Sequence, residues 1–126
     1  MSQDQFEKKI MEMSLSSQHD PHGFFWEQYL NATIISRTFT GVGFLTTFCV
    51  PDSLVKNNIS KNFCEVTAEF KDTDITLLFT IFIKDGRLDF LEGFTSHGDW
   101  RYDYDNAIFL DSTSWGDKAL PGLNCH

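Results

Sequence analysis

The longest apolar stretch of the chain, residues 75–95, predicts the central hairpin of a β-sheet. Nearly every residue from Leu77 to Ile83 is apolar, and such a strand is expected to be covered on both faces at the centre of a sheet. Asp85-Gly86 follows. Because both central residues of a tight type I′ turn need positive φ, this pair predicts a two-residue reversal.

Two further stretches alternate between apolar and polar residues, which predicts strands with one buried face. After the turn, the positions expected to be buried are Leu88, Phe90 and Phe94, alternating with Asp89, Leu91 and Gly93. Earlier in the chain, one face is expected to carry Cys64, Val66, Ala68 and Phe70, and the other Phe63, Glu65, Thr67 and Glu69.

A second hairpin is predicted between residues 33 and 50, where β-branched and aromatic residues flank Gly41-Val42. A two-residue type II′ loop needs glycine at its first central position, which Gly41 supplies. This loop would pair Phe39 with Phe44, and Arg37 with Thr46, on neighbouring strands.

Two helices are predicted before the strands. Ser2 and Gln5 have the spacing of a capping box, so a helix is expected from Gln3 to Ser14. Asp20 precedes Pro21, a favourable N-cap followed by proline at the first helical position, which predicts a short aromatic helix reaching Leu30.

Together these elements predict a single α+β domain over residues 1–126. Its architecture is an antiparallel sheet of about five strands with the N-terminal helices packed on one face. The apolar run from Ala107 to Leu110 is expected to form a last edge strand.

The formal charge of −8 makes nucleic acid and anionic membrane surfaces poor direct partners. The segment 85–117 holds eight acidic residues against Arg87 and Arg101. Such a cluster is either a solvated face that promotes solubility or the complement of a basic partner.

Catalytic and metal-binding signatures are missing from the sequence, so neither an enzyme nor a cofactor is expected. Three cysteines without short spacing predict no disulfide framework, and Cys49 and Cys64 are expected to be small buried hydrophobes. The polar N-terminus has no apolar signal region and no stretch is long enough to span a membrane, which predicts a cytoplasmic protein.

The strongest candidate for a binding site is the acidic and aromatic segment that follows the central hairpin. Large amphipathic rings anchor protein interfaces, and carboxylates suit a basic protein surface. The alternative is that these rings cap the open end of the core. The candidate partner-binding residues are Glu92, Asp99, Trp100, Tyr102, Asp103, Tyr104, Asp105 and Asp111.

Residues 37–44 (RTFTGVGF) and 85–95 (DGRLDFLEGFT) resemble segments of small bacterial proteins of largely unassigned function. In size, acidity and strand-rich layout the chain is similar to immunity proteins of contact-dependent growth inhibition and related polymorphic toxin systems. This resemblance implies a cytoplasmic protein that binds one toxin domain, often a nuclease, and occludes its active site or substrate surface.

Two other functions compete with inhibition. His97, Asp99 and Arg101 offer a base, an acid and an anion clamp close together, which would suit a small enzyme or a ligand-binding domain. The aromatic patch could instead serve self-association in an assembly protein.

Overall fold

The computed structural model describes residues 1–15, 19–64 and 66–110, which contain two α-helices followed by a seven-stranded antiparallel sheet. The helices are α1 (Gln3–Ser14) and α2 (Phe24–Asn31). The strands are β1 (Thr33–Phe39), β2 (Gly43–Cys49), β3 (Lys61–Phe63), β4 (Thr67–Phe70), β5 (Thr76–Lys84), β6 (Arg87–Thr95) and β7 (Ala107–Leu110). The predicted α+β class is confirmed, although the sheet has more than the five strands expected.

The strands follow the spatial order β1-β2-β6-β5-β4-β7, with β3 also paired to β5. The hairpin of β5 and β6 therefore lies at the centre of the sheet, as predicted. Its turn residues Asp85 and Gly86 have φ values of 52° and 76°, as a type I′ reversal requires.

The predicted register of the hairpin formed by β1 and β2 is also confirmed. Arg37 lies opposite Thr46, and Phe39 lies opposite Phe44. The N–H of Thr40 donates to the carbonyl of Gly43 over 3.0 Å and closes the loop.

Helix α1 begins with the predicted capping box. The Ser2 hydroxyl accepts from the N–H of Gln5 at 3.2 Å, and the Gln5 side chain accepts from the N–H of Ser2 at 2.9 Å. The helix packs Phe6, Ile10 and Met11 into the core.

Asp20, the predicted N-cap residue of α2, does not occupy the N-cap position, although its carboxylate does accept hydrogen bonds from the start of the helix. The helix begins after Gly23, which adopts a left-handed conformation with φ of 71°. The carboxylate of Asp20 nevertheless accepts from the N–H groups of Phe25 and Trp26 at 3.0 and 2.9 Å, so it satisfies two amides of the first turn from outside the helix.

Helix α2 is attached to the central hairpin through Gln28, whose side chain is buried. Its amide nitrogen donates to the carbonyl of Gly86 and its amide oxygen accepts from the N–H of Leu88, both at 2.8 Å. The side chain thus supplies the hydrogen bonds that a neighbouring strand would otherwise make at this end of β6.

The predicted buried face of β6 is wrong beyond Leu88. Phe82 lies opposite Phe90 while Ile83 lies opposite Leu88, so Asp89 is an extra residue that shifts the alternation by one. The residues after the bulge that turn inward are Leu91, Gly93 and Thr95, whereas Phe90 is half-buried and Phe94 is exposed.

An extra residue also divides the strand predicted around residues 63–70 into β3 and β4. Phe63 lies opposite Ile81, and Thr67 lies opposite Leu78. The interval from Phe63 to Thr67 is therefore one residue longer than the interval on β5 to which it pairs. Phe63 consequently joins the core, contrary to the prediction. The other core residues of this segment are Val66, Ala68 and Phe70, as expected.

Strand β5 is central but only one of its faces is fully covered. The residues of its helix-covered face, Leu77, Phe79, Ile81 and Ile83, are buried, whereas Leu78, Thr80 and Phe82 on the other face are half-buried. The expectation that both faces are covered is therefore wrong, since helices α1 and α2 pack against one side.

The cysteines differ from the expectation as well. Cys49, at the end of β2, is exposed because its neighbours Phe48 and Val50 occupy the inward positions, and its thiol is free. Cys64 is disulfide-bonded, although no disulfide was expected from the sequence. Neither helix within the described ranges has the length and apolarity needed to cross a bilayer.

Candidate functional site

The segment between β6 and β7 divides the predicted binding residues into two groups. Trp100 and Tyr104 are buried in the core, so the interpretation that rings cap the core is right for these two. Tyr102 lies between them with 60% of its surface exposed. The exposed carboxylates of the segment are those of Asp99, Asp103 and Asp105.

The two buried rings fix this segment to the fold. The N–H of Trp100 donates to the carbonyl of Gly41 over 2.7 Å, and its indole N–H donates to the hydroxyl of Tyr104 over 3.1 Å. The Tyr104 ring stacks on Phe6 with centroids 3.9 Å apart, and its hydroxyl donates to the side chain of Gln3. Burial raises the pKa of the Tyr104 phenol above its ordinary value.

Glu92 lies in strand β6 and not in the loop that carries the other carboxylates. It lies between the inward-facing residues Leu91 and Gly93 and is paired with Leu45 and Thr80, so its side chain points to the sheet face opposite the helices. The bulge at Asp89 turns Glu92 outward in this way, together with Phe94, and its place among the partner-binding residues stays a prediction. Asp111 lies outside the described residues.

The structure brings further apolar side chains to the exposed ring. Phe39 at the end of β1 is 46% exposed and meets Tyr102 edge to face, with centroids 5.7 Å apart and planes at 60°. Val42 in the adjoining turn and Phe94 near the end of β6 are also exposed. We call Phe39, Val42 and Tyr102 the aromatic end of the sheet; Phe94 points to the sheet face turned away from the helices, as Glu92 does.

Backbone hydrogen bonds hold the parts of the aromatic end together. The N–H of Thr95 donates to the carbonyl of Val42 over 2.8 Å, and Gly43 is paired with Phe94. Sequence patterns gave no reason to select Phe39 or Val42, which read as an ordinary strand residue and an ordinary turn residue. Only the contact with Tyr102 distinguishes Phe39.

Carboxylates surround the aromatic end, and some are already engaged. Asp105 pairs with the amino group of Met1 at 2.7 Å, and Asp103 accepts from the side chain of Asn106 at 2.8 Å. The nearest cation of the segment, Arg101, lies over the ring of Phe70 at 5.8 Å. The charged side chains around the aromatic end are thus predominantly acidic.

A buried ion pair lies beneath this surface and joins α1 to the first hairpin. The carboxylate of Glu7 is only 1% exposed and accepts from Arg37 at 2.9 and 3.1 Å and from the Thr46 hydroxyl at 2.7 Å. The hydrogen bond to Glu7 raises the pKa of the Arg37 guanidinium. In sequence, Glu7 was indistinguishable from the solvated residues of the helix.

Among the described residues, no hydrogen bond or ion pair joins His97 to Asp99 or Arg101, and the competing site stays a prediction. His97 Nε2 lies 3.3 Å from a carboxylate oxygen of Asp74, and its Nδ1 lies 3.1 Å from the Ser96 hydroxyl. Arg101 contacts Phe70 instead, and Asp99 is exposed. Within residues 1–15, 19–64 and 66–110, no three His, Cys, Asp or Glu side chains are grouped to hold a metal ion.

No family model matches the sequence, and no curated protein or solved structure matches it either. The function of the aromatic end must therefore be argued from its own residues.

Proposed function

We propose that this chain is an immunity protein, which binds a basic toxin domain through the aromatic end and so blocks that domain's active site or substrate surface. The observation that carries the proposal is the exposed pair of Phe39 and Tyr102, set among the carboxylates of Asp99, Asp103 and Asp105. The protein acts by binding and not by catalysis.

The chemistry of this surface suits a nuclease as the toxin. A nuclease must attract phosphate groups with Lys and Arg, so its substrate surface is basic. Carboxylates of the inhibitor steer such a surface towards it and pair with those cations. Exposed aromatic side chains then fill pockets at the centre of the contact, where binding energy is concentrated.

The way the segment is anchored supports fast and tight binding. A hydrogen bond joins Trp100 to Tyr104, and on Phe6 Tyr104 stacks while Trp100 packs edge to face. Tyr102, between them in the chain, is thereby held in place before any partner arrives. A surface that is already ordered loses less conformational entropy on binding. The same pre-organisation is of no use to a merely solvated acidic loop.

The decisive experiment first looks for a toxin domain in the gene immediately upstream and then measures association with that domain at several ionic strengths. The variant carries Asp103→Lys and Asp105→Lys together. The matched control carries Glu12→Lys and Glu27→Lys, which reverse two exposed charges on the helices and change the net charge by the same amount. The loop variant should associate at least about tenfold more slowly with a flatter salt dependence, and the control should not.

Equal effects of the two double variants would show that only overall charge matters, and would remove the aromatic end from the interface. Unchanged association kinetics in both double variants would show that the partner is not a basic protein. Measurable turnover of a substrate that is lost in His97→Ala, with toxin protection absent, would establish the enzyme in place of the inhibitor.

We also propose that the protein acts in the cytoplasm, where a nuclease toxin would reach its substrate. The disulfide at Cys64 bears against this location, since disulfides persist in oxidising compartments. Alkylation of thiols in intact cells, followed by mass spectrometry, tests the proposal. In a cytoplasmic protein Cys64 should be recovered as an alkylated thiol, whereas a protected Cys64 would contradict the location.

A further inference from the structure

The sheet face turned away from the helices, which we call the open face, carries several large apolar side chains. Phe82 and Phe90 stack on it with ring centroids 4.1 Å apart, and Phe94 is 38% exposed. An apolar patch of this kind on a protein surface indicates a contact site. The apolar residues of the three central strands on this face are Leu45, Leu78, Phe82, Phe90 and Phe94.

Glu92 lies in the middle of these apolar residues. Along β6 it stands between Phe90 and Phe94, because alternate residues of a strand share a face. On the neighbouring strands it lies opposite Leu45 and Thr80. The side chain is half-buried, so its carboxylate is only partly hydrated and has mainly apolar groups beside it.

The Glu92 carboxylate has no cation to pair with. Among the described residues, no hydrogen bond or ion pair engages it. Arg87 pairs instead with Asp52 at 2.6 Å, and Lys84 lies four positions along β5 from Thr80, a separation of about 13 Å. The other charged residues of the open face are Glu69 on β4 and, towards the turn of the hairpin, Lys84, Arg87 and Asp89.

We propose that Glu92 receives a lysine or arginine side chain of the toxin domain, whose contact extends from the aromatic end onto the open face. The two surfaces adjoin at Phe94, since the N–H of the next residue, Thr95, donates to the carbonyl of Val42 over 2.8 Å. The inference rests on the proposed function, because the partner is the same basic domain, and it adds a second surface to the interface.

The cost of covering Glu92 selects a cationic partner. Removing a carboxylate from water is strongly unfavourable unless a cation replaces the water, so a purely apolar surface is a poor partner for the open face. A second copy of this chain, with a charge of −8, is repelled. Lysine and arginine can lay their apolar stems and charged ends against aromatic rings while they pair with the carboxylate. The basic substrate surface of a nuclease provides such side chains.

Urea unfolding of the free protein tests the inference without a toxin. A carboxylate that meets a cation only in the complex is unfavourable in the free fold, so Glu92→Met should raise the urea midpoint by about 0.3 M or more. The matched control Glu12→Met removes the same charge from an exposed position of α1 and should shift the midpoint much less. An unchanged or lower midpoint in Glu92→Met would overturn the inference, and a lower one would show that a cation of this chain already pairs with Glu92.

Binding of the upstream toxin domain tests the contact itself. Glu92→Met should weaken this binding at least about tenfold, mainly through faster dissociation, and Glu12→Met should not. A wild-type complex that Glu92→Met leaves unaffected would overturn the inference alone, because the aromatic end would then still bind the toxin. Failure of the wild-type protein to bind any such domain would overturn the proposed function as well. Self-association of the wild-type protein that is lost in Glu92→Met, measured by sedimentation velocity, would place a second copy on the open face and overturn the inference too.

Discussion

The carboxylate of Glu7 and the guanidinium of Arg37 form a two-point ion pair that joins helix α1 to strand β1. Glu7→Gln should destabilise the fold by about 2 kcal/mol, because it removes the charge that compensates Arg37, while Asp4 and partial exposure to solvent keep the loss below that of a fully buried pair. Urea unfolding measures the effect. Glu12→Gln, at an exposed position of the same helix, should change stability by less than about 0.5 kcal/mol, and an equal loss in both variants would contradict a special role of Glu7.

Trp100 and Tyr102 are two positions apart, but their replacement by alanine should have different effects. The first replacement should reduce stability, and the second should reduce binding. Trp100→Ala should cost about 3 to 5 kcal/mol of unfolding free energy, because it empties a buried site and removes the anchor of the segment. Tyr102→Ala should cost less than about 1 kcal/mol of unfolding free energy, yet, under the proposed function, it should weaken binding of the toxin domain at least about tenfold. Thermal unfolding and titration calorimetry separate the two. A strong stability loss in Tyr102→Ala would assign that ring to the core.

Gly86 and Gly98 share a φ of 76° but differ in the space around them. Gly98→Ala should cost about 1 kcal/mol from the left-handed conformation alone, because nothing lies within 4 Å of an added Cβ. In Gly86→Ala the added Cβ would lie 1.9 Å from the carbonyl oxygen of Asn57, so the backbone must shift and the loss should exceed about 3 kcal/mol. Equal losses by urea unfolding would refute the close approach of the residue 57 backbone to the central turn.

Alkaline pH should destabilise the protein through Tyr29. Burial, followed by the carboxylates of Glu7 and Asp4, raises the pKa of Tyr29 to about 12 from an ordinary value of 10.0. The folded state thus favours the neutral phenol, and the stability this provides is present below pH 10 and is lost as pH rises towards 12. Unfolding free energies between pH 9 and about pH 12 should fall less steeply in Tyr29→Phe, and identical slopes would show that Tyr29 ionises freely in the folded protein.

The elements that the sequence predicted best are those specified by local chemistry. The capping box at Ser2 and Gln5 locates the start of α1, and the Asp85-Gly86 turn locates the central reversal, since neither depends on distant residues. The prediction of which strand residues point inward failed at Asp89 and between Phe63 and Thr67. One inserted residue reverses the direction of all later side chains, and an insertion of this kind cannot be recognised from the composition.

The candidate site was predicted only in part, for a related reason. Acid and aromatic residues between 96 and 106 drew attention to this segment, but a stretch without period does not show which rings turn inward. Tyr102 and Tyr104 have the same residue type and similar neighbours, and only packing on Phe6 separates them. Phe39 and Glu7 escaped selection because their partners, Tyr102 and Arg37, are distant in the sequence.

The contact of Gln3 and Phe6 with Tyr104 has a consequence for how the chain folds during synthesis. Gln3 and Tyr104 are 101 positions apart, so the first helix cannot complete its packing until nearly the whole described sequence has left the ribosome. Contacts of such long range slow folding, since loop closure precedes any stabilising gain. A nascent chain would hold α1 and its apolar face unburied until translation is nearly complete, which makes the core a late product of synthesis.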